Sequence, residues 1–485
     1  MKISRRNLLA PRRWFVMASP ADAFAEPQSI HFLNRISFGA RPEDVARLNT
    51  IGTEAYLDEQ LSPDTIDDSA LDEHLKDLAI LKMDRRAVYA LPNNEWRIFQ
   101  TMATAFMRRA VFSKRQLLER LTEFWTDHFN INADDSDYNA DLLRLHNTIR
   151  RHALGKFRTL LQETAKNRAM LIYLDNFVNE KDHPNENYAR ELMELHTLGV
   201  DGGYTEQDVK AVARAFTGWT IHDETPDGFY FDADMHDTAP KSVLGHTLPA
   251  GRGIEDGLHV LDIVAHHPAT ARFICRKLAV RFVSDNPPDS LVDAMVAVWQ
   301  QTDGEIKSIL RHLFLSAEFG AAMGQKFRRP LDFAVGAMRA SGTTVYVQWI
   351  MEEMLQSLGQ MPFSWHPPDG YPDVSSAWAT TDGLLARWNT AMRLTHGAQS
   401  DPEWGYGLHT DLFARIGTPA TVSALVEAVG EQVFGAPLLP SAAEPFIDFA
   451  SDGQGGNRTV TPHLLAQKLG SLFGLMLASP LFQWR

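Results

Sequence analysis

The spacing of apolar residues constrains the fold of this chain more than any other feature of its sequence. From about residue 30 to about residue 350, apolar residues recur every three, four and seven positions, as they do along one face of an α-helix. Alternating patterns typical of strands are scarce. The sequence therefore predicts an all-α protein, a large multi-helix domain with long irregular loop insertions. The pattern is clearest at Phe106, Met107, Ala110, Leu117, Leu118, Leu121 and Trp125.

Two long stretches between the predicted helices lack this repeat and are rich in Gly, Pro, Asp and His. They cover residues 221–257 and 361–382. Loops of this length in a compact domain are usually either functional or disordered. Both stretches also contain several aromatic residues, which favours packed loops with a function over disordered ones.

The length of 485 residues allows more than one domain. We predict an export signal over residues 1–25 and a main helical domain over residues 26–330. Residues 331–485 are predicted to form a C-terminal helical lobe packed on the same core.

The predicted export signal is of the twin-arginine type. Arg5 and Arg6 precede two leucines, and small residues around Ala23 and Ala25 fit a cleavage site. We therefore expect a periplasmic or secreted protein. A cytoplasmic location is the alternative, because charged residues and a proline at 11–13 interrupt the apolar part of the signal. No later segment reaches the roughly 18 apolar residues that a membrane-spanning helix needs, so we expect none in the mature chain.

Net charge and cysteine content exclude several classes of protein. The formal charge of −14 disfavours binding to nucleic acid, which requires a basic surface. Cys275 is the only cysteine, so the chain has no intramolecular disulfide and no zinc site built from cysteines. The sequence also lacks the common zinc-protease, serine-hydrolase and Walker phosphate-loop motifs.

The densest group of specific polar residues lies at 185–199, which reads as one helix ending at a glycine. Helical spacing places Asn187, Glu191 and Glu194 on one side, with Arg190 next to them. These residues could ligate a metal or form an acid–base pair in which Arg190 keeps one carboxylate ionised. The alternative is a buried hydrogen-bonded network that only fixes helix packing.

Two further groups carry imidazole and charged side chains. His128 follows an aromatic helix end, where the helix dipole alone would also favour it. His236, Asp237 and Lys241 lie in the first long loop, a combination suited to metal binding or proton transfer.

These groups together define the predicted site, with a divalent metal as the candidate cofactor. The predicted catalytic residues are Glu191, Glu194, Arg190, His128, His236, Asp237 and Lys241. The predicted substrate-binding residues are Asn185, Asn187, Trp219 and Arg272. The candidate metal ligands are Glu191, Glu194, His128 and His236.

Several ordered segments resemble the bacterial family of unknown function DUF1800. They include HFLNRISFG at 31–39, ERLTEFWTDHF at 119–129, ALGKF at 153–157, NENYARELMELHTLG at 185–199, DGGYT at 201–205, FTGW at 216–219, His236 and Asp237 with Lys241, HPATA at 267–271, and SPLFQ at 479–483. The resemblance implies a mostly helical protein that often carries an export signal. It also implies a gene that often lies beside one for a sulfatase-like secreted protein, the candidate partner. It implies no reaction.

The sequence does not decide whether the protein is an enzyme. We expect an exported, hydrolase-like and metal-assisted enzyme, in which residues of the central helix and imidazoles from distant loops surround one cavity. The alternative is a non-catalytic assembly or maturation factor for a secreted partner protein.

Overall fold

A computed structural model describes residues 20–24, 26–92, 94–133, 138–345, 348–396, 408–409 and 411–485. Of the predicted export signal, residues 1–19 and 25 lie outside this range. Helices dominate the described residues, which confirms the predicted all-α class. None of these helices combines the length and the apolar character needed to cross a membrane, in agreement with the sequence.

Helices follow one another along almost the whole described chain. The first are α1 (Pro20–Ala23), α2 (Pro27–Ile36), α3 (Pro42–Ile51), α4 (Thr53–Gln60), α5 (Ala70–Leu75), α6 (Arg85–Tyr89), α7 (Asn94–Phe112), α8 (Gln116–His128), α9 (Asn139–His152), α10 (Phe157–Ala165) and α11 (Arg168–Tyr173). Then come α12 (Asn187–Glu191), α13 (Glu206–Ala215), α14 (Glu255–His266), α15 (Pro268–Phe282), α16 (Asp289–Thr302), α17 (Ile306–Phe314) and α18 (Ala317–Ala321). The last are α19 (Pro330–Ser341), α20 (Gln348–Leu358), α21 (Ser375–Trp378), α22 (Thr381–His396), α23 (Leu412–Ile416), α24 (Val422–Phe434), α25 (Pro440–Ser451), α26 (Pro462–Ala478) and α27 (Pro480–Gln483). Short 3₁₀ turns lie at Pro63–Thr65, Ala79–Lys82 and Asn176–Val178.

Local capping signals fix several helix starts where the sequence predicts them. Thr205 and Asp208 form a reciprocal capping box at α13, since the Asp208 N–H donates to Thr205 Oγ1 at 3.2 Å and the Thr205 N–H donates to Asp208 Oδ2 at 2.9 Å. Pro42 and Pro268 occupy the first position of α3 and α15. Proline is favoured there because its missing N–H has no partner within the helix.

The first long loop contains two small hairpins, which the sequence did not predict. β1 (Trp219–Ile221) pairs with β2 (Phe229–Phe231), and β3 (Lys241–Val243) pairs with β4 (His246–Leu248). Leu244 and Gly245, both with positive φ, make the two-residue turn between β3 and β4. A third pair joins β5 (Thr344–Val345) to β6 (Leu408–His409). Each pair is antiparallel, and the strands remain minor additions to a helical core.

The C-terminal helices pack on the same core as the N-terminal ones. α19 contacts α7, which precedes it by many residues, and it also contacts α22 and α24, which follow it. The last residue, Arg485, is buried, and its carbonyl oxygen accepts a hydrogen bond from Arg35 in α2 at 2.6 Å. This hydrogen bond therefore joins Arg485 to a helix that is distant from it in sequence.

Candidate functional site

The central polar helix predicted at 185–199 changes its hydrogen bonding halfway along. It begins as α12 and continues as a π-helical segment, Leu192–Thr197. Leu198 N–H donates to Met193 O at 2.9 Å, five residues back. Gly199 then ends the segment with a φ of +83°, at the position the sequence predicts. Single π turns inside helices occur frequently at functional sites, so this segment is a candidate part of such a site.

The π-helical segment contacts His128, the last residue of α8. His128 Nε2 donates a hydrogen bond to the carbonyl oxygen of His196 at 3.0 Å. The Nδ1 atom therefore carries the lone pair, and it accepts a hydrogen bond from Lys277 Nζ at 3.0 Å. Burial, with Lys277 as the next cause, holds the pKa of His128 well below its usual value. His128 is thus a neutral imidazole in a fixed tautomer.

Lys277 is held in an unusual environment on α15. Burial lowers the pKa of its amine to about 8, although the charges of Asp127 and Asp373 oppose the shift. Its Nζ atom lies 5.5 Å from the centre of the Phe273 ring. Within the described chain, no carboxylate oxygen forms an ion pair with this amine. The amine therefore gives up its proton more readily than an ordinary lysine.

Lys277 and His128 open onto a cavity of about 430 Å³. α8 and α15 form two of its walls, and the second long loop, residues 361–382, forms the third. The loop approaches closely at Gly370, where an added Cβ would lie 2.1 Å from Asp127 O. The cavity is lined by Phe124, Asp127, His128, Phe273, Arg276, Lys277, Val280, Arg281, Arg329, Trp365, Asp369, Gly370, Tyr371, Pro372, Asp373 and Val374.

The second long loop is fastened to the helices by hydrogen bonds to its backbone. Asn130 Nδ2 donates to Trp365 O at 2.8 Å and to Pro367 O at 2.7 Å. Tyr173 Oη donates to His366 O at 2.6 Å. These bonds hold the aromatic loop against α8, so the cavity wall is a packed structure, as its aromatic content predicted.

A fully buried carboxylate, Asp332, anchors a group of charges beneath the cavity. Arg485 Nη2 lies 2.6 Å from Asp332 Oδ2, Arg120 pairs with Asp332 Oδ1, and Arg281 approaches to 3.5 Å. Burial would raise the pKa of Asp332, but the surrounding arginines, Arg120 foremost, lower it well below the usual range. Asp332 therefore stays ionised in the interior.

The same group extends up to the floor of the cavity. Glu123 pairs with both Arg281 and Arg329, and Arg329 Nη1 lies 2.7 Å from Asp127 Oδ2. Asp373 Oδ1 lies 3.1 Å from Lys326 Nζ, and Lys326 also pairs with Asp285 at 2.9 Å. The network holds as many cationic side chains as carboxyl groups, although burial raises the pKa of Asp127 to about 8. Lys277 lies beside it. The network comprises Arg120, Arg281, Lys326, Arg329 and Arg485 with Glu123, Asp127, Asp285, Asp332 and Asp373.

Of the residues predicted from sequence to be catalytic, only His128 lines this cavity. Arg190 lies on the surface and pairs with Glu186 at 3.1 Å and with Glu206 at 2.9 Å. Glu191 is partly buried, and burial, followed by the charge of Glu194, raises its pKa. Neither Arg190 nor Glu191 lines the cavity that contains His128.

The predicted group in the first long loop forms a separate buried cluster. His236 Nδ1 lies 2.7 Å from Thr217 O, and Lys241 Nζ lies 2.7 Å from Asp256 Oδ2. Asp237 accepts a hydrogen bond from Arg214 Nε at 2.6 Å. These contacts join the β3–β4 hairpin to α13 and α14. The sequence led us to expect His236 and Lys241 around one cavity with the central helix. Neither residue lines the cavity that contains His128, and their partners are Thr217 and Asp256.

The residues predicted to bind substrate also lie away from the cavity lining. Asn185 Oδ1 caps the N–H of Asn187 at 2.9 Å, and Asn187 Nδ2 donates to Asp175. Trp219 is fully buried at the base of the hairpins. Arg272 is exposed and pairs with an aspartate of α16. Their contacts are those of structural residues, and the predicted roles stay predictions.

The candidate metal ligands are not gathered into one set of donors. Over the residues that the structure describes, no group of three or more His, Cys, Asp or Glu side chains is arranged to hold a metal ion. His128 and His236 instead have the separate partners given above, and Glu191 and Glu194 lie on the central helix.

Sequence reasoning missed the basic residues that line the cavity. Phe273, Lys277 and Arg281 follow one another at intervals of four on α15, so they share one face of that helix. Lys277 and Arg281 next to the buried Ile274 and Leu278 indicate a polar cavity wall. The sequence shows this spacing, but it does not show which side chains pair with the two cations.

Comparison with known proteins yields one match. The model of a protein family described as "Protein of unknown function (DUF1800)" matches residues 31–484, and so confirms the resemblance seen in the sequence. No curated protein and no solved structure matches the chain.

Proposed function

Because the chain belongs to the DUF1800 family, whose description gives no reaction, we propose a function from the cavity itself. We propose an exported, hydrolase-like enzyme in which the Lys277 amine acts as the general base that activates a water molecule. Its substrate is a small organic molecule bound in the cavity between α8, α15 and residues 361–382.

The amine of Lys277 carries this proposal. A pKa of about 8 leaves a useful fraction of the amine unprotonated near neutral pH, and an unprotonated amine can accept a proton from water. His128 accepts one N–H of the amine at 3.0 Å and cannot compete for its lone pair. The neutral imidazole therefore orients the amine without neutralising a charge on it.

The walls of the cavity support binding of a small molecule with a polar oxygen. A volume of about 430 Å³ and the side chains of Phe124, Phe273 and Trp365 suit an organic substrate. Arg281 lines the cavity, and its buried Nε–H has no acceptor among the described residues. The positive charge of Arg281 could stabilise a substrate oxygen that becomes negatively charged during attack by water.

The first experiment measures the pKa of Lys277 directly. Competitive labelling of the lysines with acetic anhydride, followed by peptide mass spectrometry from pH 6 to 11, reports each amine separately. We expect Lys277 to become reactive near pH 8, well below the pH of about 10.4 at which a lysine amine in a peptide does so. A Lys277 that becomes reactive only at about pH 10.4 contradicts the proposal.

The second experiment measures hydrolysis of a panel of p-nitrophenyl esters. Lys277→Met and Lys277→Arg both remove the titratable amine, and each is expected to lower kcat by roughly 100-fold or more. Lys277→Arg keeps the positive charge. A loss of activity in this variant would therefore show that proton transfer is needed in addition to electrostatic binding. Lys210→Met is the matched control and is expected to leave kcat unchanged. Full activity in Lys277→Arg rules out the amine as a base.

A further inference from the structure

A second cavity, lined by basic residues, lies on another side of the molecule. It has a volume of about 580 Å³ and is bounded by the Pro63–Thr65 turn, α7, α8, α9 and the start of α17. Its cationic lining residues are Arg109, Arg115, Arg150, Arg151 and Lys307, and Asp64 is the one carboxylate that lines it with them. Such a concentration of positive charge is unexpected in a chain with a net charge of −14.

Arg109 is the most informative residue of this second cavity. Its Nη1 atom is buried and has no hydrogen-bond partner in the described structure. Burial lowers the pKa of its guanidinium, and the neighbouring Arg150 lowers it further, while Glu119 opposes the shift. A buried N–H group without an acceptor, on a side chain that carries charge, destabilises the folded protein unless a ligand compensates for it.

The carboxylate next to Arg109 is that of Glu119, and it is engaged by another arginine. Glu119 is already paired with Arg150, whose Nη2 lies 2.5 Å from Glu119 Oε1. Arg115 donates one hydrogen bond to Ile66 O at 3.0 Å, but its buried Nε–H also has no acceptor within the described residues. Arg109 and Arg115 therefore line the cavity with no carboxylate paired to either of them among the described residues.

We propose that this second cavity binds a tetrahedral oxyanion, either free phosphate or the phosphate group of a small molecule, with Arg109 and Arg115 as its main donors. The planar guanidinium presents paired N–H donors that match phosphate oxygens. A dianion would also offset part of the excess positive charge of the cavity. Neither Lys277 nor any other residue that lines the first cavity is involved, so this site is independent of the proposed catalytic site.

The test uses isothermal titration calorimetry and thermal unfolding of the full chain at constant ionic strength. The probes are inorganic phosphate and glycerol 2-phosphate, with acetate and chloride as controls. We expect phosphate to bind and to raise Tm, while chloride at the same ionic strength does neither. Tighter binding of the ester would identify a phosphorylated molecule as the ligand, and equal binding would identify phosphate itself. No phosphate-specific effect would overturn the proposal.

Variants test the role of Arg109. Arg109→Met keeps the aliphatic packing and is expected to weaken phosphate binding by roughly tenfold or more, because it removes a charged donor. Arg108→Met is the matched control, since Arg108 is adjacent on α7 but pairs with Asp77 and does not line the cavity. Without phosphate, Arg109→Met should be at least as stable as the natural chain, because it removes an unpaired buried charge.

Arg115→Met provides an independent measurement. Arg115 directly precedes α8, whereas Arg109 lies in α7, so the two variants change the lining of the second cavity at different places. We expect Arg115→Met also to weaken phosphate binding while leaving ester hydrolysis in the first cavity unchanged. Binding of phosphate by both variants with the affinity of the natural chain would show that the anion is adventitious and would overturn the proposal.

Discussion

The charge network around Asp332 and the basic groups at the two cavities are built from the same residue types, yet their surroundings differ. In the network, Asp332 contacts three arginines and Glu123 contacts two, so charge is matched within the interior. Lys277 and Arg109 have no carboxylate in ion-pair contact among the residues described. The paired charges of the network join helices that are distant in sequence, whereas Lys277 and Arg109 line the two cavities and mark the candidate binding sites.

The largest expected effect comes from breaking the matched network. Asp332→Asn leaves Arg120, Arg281 and Arg485 buried without their shared carboxylate, so we expect a loss of about 3–5 kcal/mol in the free energy of unfolding. Urea titration followed by circular dichroism measures it. Asp452→Asn removes an exposed carboxylate that also pairs with two cations, and it should change stability little. Similar losses in both variants would remove the distinction between matched interior charges and surface pairs.

The unmatched Lys277 should have the opposite effect on stability. Its pKa is about 8 in the folded protein and near 10.5 when unfolded, so the unfolded chain binds more protons between these values. Folded-state stability is therefore penalised below pH 8, and the penalty disappears as pH rises to 10.5. Lys277→Met should be more stable than the natural chain by about 1–3 kcal/mol at pH 7. The difference should shrink toward pH 10.5 in urea titrations, and a constant difference would contradict the assignment.

A smaller effect is expected where the loop meets α8. Gly370→Ala places a methyl group against Asp127 O at a φ of +76°, so the loop must shift away from the helix. We expect a loss of about 1–2 kcal/mol together with weaker substrate binding in the first cavity. Gly455→Ala has a similar φ of +85° but open space around it, which makes it a control for backbone strain alone. An equal loss in both variants would show that the close approach to Asp127 adds nothing.

The smallest effect is expected at Arg190, which the sequence suggested as catalytic. Its ion pairs with Glu186 and Glu206 are at the surface, so Arg190→Gln should cost less than about 1 kcal/mol. Ester hydrolysis should also be unchanged, because Arg190 does not line the cavity. A large loss of kcat with normal stability would restore the central helix as part of the active site.

The fold was predictable to the extent that local patterns determine it. Thr205 with Asp208, Pro268 and Gly199 each mark a helix boundary within a few residues, because capping depends on neighbouring backbone groups. The hairpins in residues 221–257 were missed because three-residue strands are too short to show alternation. Trp219, predicted to bind substrate, is packed in the core, and that role stays a prediction.

The candidate site was predictable only in part. His128 and the loop at 361–382 were selected from sequence and do meet at the first cavity. Lys277 was not selected, since a single lysine on a helix has many surface counterparts. The polar residues at 185–199 were predicted to form a site because so many of them lie close together in sequence. This closeness does not reveal which side chains reach solvent. The Arg190 side chain reaches solvent, and it forms its ion pair with Glu206 at the surface.

The sequence alone determined the helical class, the family and most helix boundaries, because these depend on periodicity and on contacts between near neighbours. Tertiary structure decided which charges are matched. Lys277 meets His128 across 149 positions, Arg120 meets Asp332 across 212, and Arg485 reaches Asp332 across 153. No local pattern encodes such meetings, since the protonation and pairing of a buried group depend on every charge that folding brings around it.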